Sequence, residues 1–446
     1  MSTSIIIGII GIIIAFILQI FLCYKGYHIS YVAVIISLII IATSQLPLVD
    51  TFTTAMSGVG EMLAIMMPIF LFGGILALVY VETGAAQSLA ELLLVPFRKL
   101  SADKQRAAAI VVAILFGFIM NAAGINQLGI MVAQLAINIV IFEKYGIPRK
   151  YLACVQILST TIAVGLPGLP TQFNVIAVQL LGVGISVAAV PRIVGSAVTF
   201  VLGAVFLVFR VKKDVKKGET FVMGNMDIPN ALVENRPVGW LTIIPLVVIF
   251  VLYNWVISEA WISIAIGTVL AIVLFLKWFP KKNDETGKVM PKYQVVVDLC
   301  NRGAVLVPLM ILMNALPAYI LEQAPAYDVI LEGLSSLPIS AEWGYFLCTM
   351  ILTGLGGAAG FVLNCQAALS HFAAIGLTLS AATAINLMTS TILDTLPTNL
   401  GVILISGMTH TKMKDAYKPI FVTTVLATFV GSIVTTLLCM IPGLAA

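Results

Sequence analysis

The stretch LDTLPTNLG, from Leu393 to Gly401, decides how this chain reads. It places a carboxylate, two threonines, a proline, an asparagine and a glycine inside an otherwise continuous apolar segment. Asp394 is the one acidic residue that falls deep in an apolar span. A charge at the centre of a membrane helix costs about 2.5–3.5 kcal/mol on insertion scales, so its default reading is functional. A second interruption, GLPGLPTQFN from Gly165 to Asn174, lies about half a chain earlier. Interrupted helices at matching positions of two halves point to the substrate site of a secondary transporter.

Composition fixes the class. The 446 residues are 60% hydrophobic and 10% charged, against about 25% charged in soluble proteins. Apolar runs long enough to cross a bilayer recur from end to end, so the chain reads as an all-α polytopic membrane protein in contact with membrane lipid. The polar stretches 212–236 and 277–292 are too short and too poor in apolar residues to fold alone. With a net charge of +4 and no run of interleaved bases and aromatics, nothing points to nucleic acid. The six cysteines (Cys23, Cys154, Cys300, Cys348, Cys365 and Cys439) are scattered singly. Without a CxxC spacing they read as small core residues, neither disulfides nor metal ligands; no metal or cofactor is expected. The N-terminal apolar run lacks a basic leader and a cleavage site and reads as a retained first helix.

Ten full apolar spans are expected, at about 5–23, 30–46, 62–81, 150–181, 188–209, 238–256, 261–278, 300–320, 380–408 and 419–442. Residues 107–142 and 343–376 instead hold pairs of apolar arms of about fifteen residues, too short to span, and read as re-entrant hairpins. With both termini outside, the loops 24–29, 82–106, 143–150, 210–237, 277–299 and 410–418 lie inside and hold every Lys and Arg except Arg192 and Arg302. The segment 321–343 carries Glu322, Asp328, Glu332 and Glu342 and no base. This is the positive-inside pattern of a cytoplasmic (inner) membrane protein.

The halves repeat. Ala122-Ala-Gly124 matches Ala358-Ala-Gly360, Leu158-Ser-Thr-Thr-Ile162 matches Met388-Thr-Ser-Thr-Ile392, and Leu166-Pro167 matches Leu396-Pro397. An odd number of spans in the first half inverts the second. The expected plan is an inverted repeat, each half with five transmembrane helices, one re-entrant hairpin and one broken helix. The first repeat is 1–210 (hairpin 107–142, broken helix 150–181). A basic cytoplasmic linker covers 211–237. The second repeat is 238–446 (hairpin 343–376, broken helix 380–408).

The candidate site follows from the breaks. Pro167, Pro170 and Pro397 remove backbone donors and clash with the preceding turn, and Gly165, Gly168 and Gly401 help unwind the chain. Each break exposes a helix N-terminus that suits an anion. The hairpin tips add Asn121, Gly124, Asn126 and Gln127 on one side and Gly356, Gly357 and Gly360 on the other, where glycine permits close backbone approach. No Lys or Arg is expected in the membrane core, so an anionic substrate would be held by Gly168, Thr171, Gln172, Asn174, Thr395, Thr398 and Asn399. Asp394 either holds the coupling ion, H⁺ or Na⁺, or caps the following half-helix. Each Asn and Gln has interhelical bonding as its alternative role.

The run STILDTLPTNLGVILISGMTHT (Ser390 to Thr411), followed by KDAYKPIF (Lys414 to Phe421), resembles the gluconate permease family of the ion transporter superfamily. Members show an Asp-Ser/Thr-Leu-Pro-His-Asn-Gly-like break, a Thr-Gly-Leu/Met-Thr-His stretch and a Tyr-Lys-Asp-Ile-Phe-like loop. The first break looks like the Pro-Gly-Thr-Pro-Gln-x-x-Asn break of one branch. The resemblance implies cation-coupled symport of a small organic acid (a sugar acid, hydroxy acid or citrate-type carboxylate) by a homodimer with scaffold and transport domains. It places Asp394, Thr395, Pro397 and Asn399 on the family break. Thr398 stands where many members have His, and Leu400 is inserted before the expected Gly. A sodium/proton antiporter would need only Asp394 and its neighbours. A membrane-embedded enzyme would need a second catalytic group beside Asp394, which the sequence lacks, and a channel would give passive flux.

Overall fold

The computed structural model describes residues 2–125, 127–224, 233–280, 289–305 and 309–445. These are helical, with no β-strand among them, and seven helical segments are long and apolar enough to cross a membrane. The chain is a multi-pass helical membrane protein. Its helices are α1 (Thr3–Tyr24), α2 (Ile29–Thr43), α3 (Leu48–Glu82), α4 (Ala85–Leu94), α5 (Ala102–Ala122), α6 (Gln127–Tyr145), α7 (Leu152–Gly165), α8 (Gln172–Leu181) and α9 (Ala189–Lys216). After the linker come α10 (Gly239–Val251), α11 (Ala260–Phe275), α12 (Lys292–Val305), α13 (Leu309–Glu322), α14 (Pro325–Ser335), α15 (Ala341–Gly356), α16 (Ala358–Leu363) and α17 (Leu369–Ala373). The last four are α18 (Leu379–Asp394), α19 (Leu400–Met408), α20 (Met413–Ile420) and α21 (Ala427–Cys439).

Helix lengths depart from hydropathy where polar residues continue a helix. The expected span 62–81 is the apolar part of the 35-residue α3. In its polar first turns Thr53 and Ser57 donate to the carbonyls of Val49 and Thr53 at 2.9 and 3.2 Å. The same effect corrects the first hairpin. Its arms are not about fifteen residues long; α5 has 21 and α6 has 19, about 32 and 28 Å at the helical rise. The polar turn Asp103–Arg106 winds as helix although hydropathy excludes it. Arm length therefore gives no support for re-entry here. What is observed is a hairpin whose open ends are tied by Arg106 Nε donating to the Tyr145 carbonyl at 2.9 Å.

The second hairpin turns at Gly357, with φ 52° and ψ −124°, a conformation that disfavours a side chain. α15, with 16 residues, returns through α16, a wide turn at Asn364–Ala368 and α17. The arms meet backbone to backbone: a Cβ at Gly360 would overlap the Leu352 carbonyl oxygen.

Two groups of helices emerge from the packing. α1, α2, α3, α10, α11, α12 and α13 pack on one another, while α5–α7 and α9 pack together, as do α15, α18 and α21. α9 and α21 join these last two sets. Large apolar side chains such as Ile17 and Phe209 point outward, as a lipid-facing surface requires.

Ion pairs gather several basic segments at one end of the bundle. Arg302 meets Glu82 at 2.9 Å, Arg236 meets Glu91 at 2.9 Å, and Lys150 meets Asp214 at 2.7 Å and Glu219 at 2.5 Å. Burial alone would lower the Lys150 ammonium, but these two carboxylates hold its pKa above the ordinary lysine value.

α9 and α21 cross through small residues, as membrane helices do when backbones approach closely. The contact is reciprocal. A Cβ on Gly195 would overlap Thr435 Oγ1, and a Cβ on Gly431 would overlap Thr199 Oγ1. The Gly431 position also faces the Gly195 carbonyl oxygen at 2.6 Å. Backbone cannot rotate away as a side chain can, so Gly431→Ala should destabilise the protein by about 1–3 kcal/mol, the range for overpacking. A lowered thermal midpoint in detergent would register it; an unchanged midpoint would contradict the close crossing.

Candidate functional site

α7 stops at Gly165 because Pro167 and Pro170 follow. Its last carbonyls need donors from elsewhere, and one arginine supplies them. Arg192, 1% exposed, donates from Nε to the Gly165 carbonyl at 3.0 Å and from Nη2 to the Leu166 carbonyl at 2.9 Å. It also donates from Nη1 to the Val187 carbonyl at 3.2 Å and from Nη2 to Asn174 Oδ1. This corrects the expectation that no base reaches the membrane core. Arg192 lies near the start of α9, yet its guanidinium is folded onto the break, where a cation complements the negative end of the α7 dipole. Asn174 completes the cap, donating to the Leu166 carbonyl at 3.0 Å, the Val164 carbonyl at 3.3 Å and Thr171 Oγ1 at 2.8 Å.

The second break is built differently. α18 ends on Asp394, and the turn closes with the Asn399 amide donating to the Leu396 carbonyl at 2.9 Å. Asn399 Oδ1 accepts from the Val402 amide at 3.1 Å, so Asn399 caps α19. Asn399 Nδ2 donates to Asp394 Oδ2 at 3.3 Å. Of the two roles left open for Asp394, capping belongs to Asn399 instead. Asp394 stands at the C-terminal end of its own helix, where the dipole opposes a negative charge. Thr395 Oγ1 donates to the Ile392 carbonyl and accepts from Thr424 Oγ1, both at 3.1 Å.

The two breaks and the first hairpin tip converge on one cavity of about 60 Å³. Its polar lining is Asn121, Thr160, Thr161, Thr171, Gln172, Thr391, Asp394, Thr395 and Asn399, with Gly124 at the tip; Ile69, Phe70, Ile125, Ile157, Val164 and Phe173 form the apolar wall. Asp394 is its sole ionisable side chain among the described residues. Gly124, at φ +77°, brings the tip against Ile264 and the Pro170 carbonyl. Asn121 donates to the Gly117 carbonyl at 2.8 Å. The volume admits a few waters or an ion, since one water needs roughly 10–15 Å³. It is well below the ~300–1,000 Å³ of small-molecule pockets.

Seven of the expected site residues thus meet: Asn121, Gly124, Thr171, Gln172, Asp394, Thr395 and Asn399. Six do not line the cavity. Gly168 carries its carbonyl to Asn254 Nδ2 at 2.9 Å, and Asn174 is engaged by Arg192. Gly356 packs on Ala318, Gly357 makes the hairpin turn and Gly360 abuts the facing arm; Thr398 is buried away from it. Asn126 lies outside the described residues. Thr160, Thr161 and Thr391 were not among the expected ligands, although the matched segments LSTTI and MTSTI carry them.

No family model matches the chain. Over 230 residues it is 25% identical to the uncharacterized transporter YxjC of Bacillus subtilis (strain 168), covering 49% of this chain and 46% of that protein. The chain thus matches about half the length of this relative.

Proposed function

We propose that the chain is a secondary active transporter that couples a small organic carboxylate to a proton or sodium gradient by alternating access. The carrying observation is a lone carboxylate in a cavity of neutral donors, where two helix breaks and a hairpin tip converge. The printed name of YxjC and the resemblance of the segment around Asp394 to gluconate permeases support transport. An inverted repeat, with halves 1–210 and 238–446 joined by the linker 211–237, is supported by the order of elements. A long first set ending in a hairpin, a broken helix and a final helix recurs after the linker. Gly195 and Thr199 of α9 face Gly431 and Thr435 of α21 reciprocally, at the offset that carries Ala122-Ala-Gly124 to Ala358-Ala-Gly360. In this reading the α1–α3 and α10–α13 group is the scaffold and homodimer interface. The hairpins and broken helices move, and the basic end faces the cytoplasm of an inner-membrane protein.

A second reading, sodium/proton antiport, is favoured by the ion-sized cavity. Uptake of labelled carboxylates into proteoliposomes under imposed proton or sodium gradients separates the two. The symporter accumulates at least one acid under one gradient. Proton–sodium exchange with no acid uptake would establish the antiporter, and neither flux would refute both.

A further inference from the structure

Beside the ion pairs at the basic end lies a recess of about 940 Å³, much larger than the central cavity. It opens between the entry to α7, the end of α9 and the start of α20. Six bases line it, Arg149, Lys150, Arg210, Lys412, Lys414 and Lys418, against two acids, Glu219 and Asp415. Lys150 is held by Asp214 and Glu219, and Arg210 lies 3.8 Å from Asp214. Lys412, Lys414 and Lys418 are exposed and have no ion-pair partner among the described residues. An orientation signal needs only loop charge. It does not need a concave site walled by two helices with three uncommitted lysines on one rim.

The remaining wall is apolar. Phe206 of α9 and Val422 beyond α20 line the recess, and next to them Val205 (62% exposed), Phe209 (67%) and Phe421 (38%) face outward. Headgroup-binding charge thus runs directly into a lipid-facing surface. A soluble anion would use the first feature and gain nothing from the second. We propose that this recess seats an anionic phospholipid, its phosphate among the lysines of 412–418 and Arg149, its acyl chain along Phe206 and Val422. Basic pockets between helices at the cytoplasmic edge recognise such headgroups. A lipid there bridges the entry of α7 and the exit of α19, and so touches the ends of both broken helices.

The inference rests on the membrane placement of the proposed function and not on transport, so binding is read directly. Delipidated full-length protein in detergent is titrated with dioleoyl phosphatidylglycerol or phosphatidylcholine, and bound lipid is counted by native mass spectrometry. Phosphatidylglycerol should be retained at least about tenfold more strongly, and less so in high salt, which screens the charges. Replacing Lys412, Lys414 and Lys418 together by Gln should weaken it by about a hundredfold, at roughly 1 kcal/mol per lysine. The same three replaced by Arg should retain it. Equal retention of both lipids by the native protein overturns the proposal without recourse to a variant. Retention unchanged in the Gln variant does so too. Displacement of the lipid by millimolar inorganic phosphate, with equal protection against unfolding by phosphate alone, would assign the recess to a soluble anion instead.

Discussion

Asp394→Asn should abolish gradient-driven accumulation, leaving uptake at the rate of liposomes without protein. The substitution keeps the shape of the side chain and an oxygen to accept from Asn399 Nδ2, so α19 stays capped by Asn399 through Val402. What it removes is the negative charge at the C-terminal end of α18, the single ionisable group lining the cavity among the described residues. No other lining group among the described residues is ionisable. Net accumulation is lost, while exchange of labelled for unlabelled acid across the membrane, which needs no net ion movement, should persist. Asp394→Glu should restore part of the coupling, limited by the extra methylene in a cavity of about 60 Å³. The check is paired accumulation and exchange assays on the same vesicles. Full accumulation by the Asn variant would remove Asp394 from coupling.

The second large effect concerns stability. Arg192→Leu should lower the unfolding free energy by about 3–5 kcal/mol, because several buried acceptors lose a charged donor at once. The carbonyls of Gly165 and Leu166 and the side chain of Asn174 all lose their guanidinium donor, and each buried acceptor left alone costs roughly 1–3 kcal/mol. Arg192→Lys should recover only part, because an ammonium cannot reproduce the planar fork that meets several acceptors at once. Because the α7 terminus bears on Thr171 through Asn174, uptake should fall with stability in both variants. Thermal unfolding in detergent gives the first reading and initial uptake rate the second. A Leu variant that melts with the native protein would mean that the break does not depend on Arg192.

The sequence makes the breaks and Asp394 legible because proline and an intramembrane acid have few structural excuses. Pro167 and Pro397 mark the interruptions within a few residues, and the tip residues Asn121 and Gly124 do meet both breaks. Arg192 was not legible as a cap. It sits 27 residues beyond its acceptor Gly165 in the chain, and hydropathy places it at a helix end. Its one signal was to be a base on the side that otherwise carries none. The glycines of the second hairpin show a different limit. A glycine that admits a ligand and one that admits a neighbouring backbone look alike in sequence, and Gly360 is of the second kind. Likewise, Asp and Asn are both good caps, and only geometry shows that Asn399, not Asp394, holds the start of α19.

The most direct test of the central claim is thiol blocking at the cavity. Thr160 lines it and is half-buried, while Cys23, Cys154, Cys348, Cys365 and Cys439 are buried and Cys300 is half-buried, so a Thr160→Cys protein carries its most informative thiol at the proposed site. Treatment with a small charged methanethiosulfonate should stop uptake in this variant and not in the native protein, and the transported acid should protect against it. Labelling of the introduced thiol that leaves uptake intact would place the transport path elsewhere.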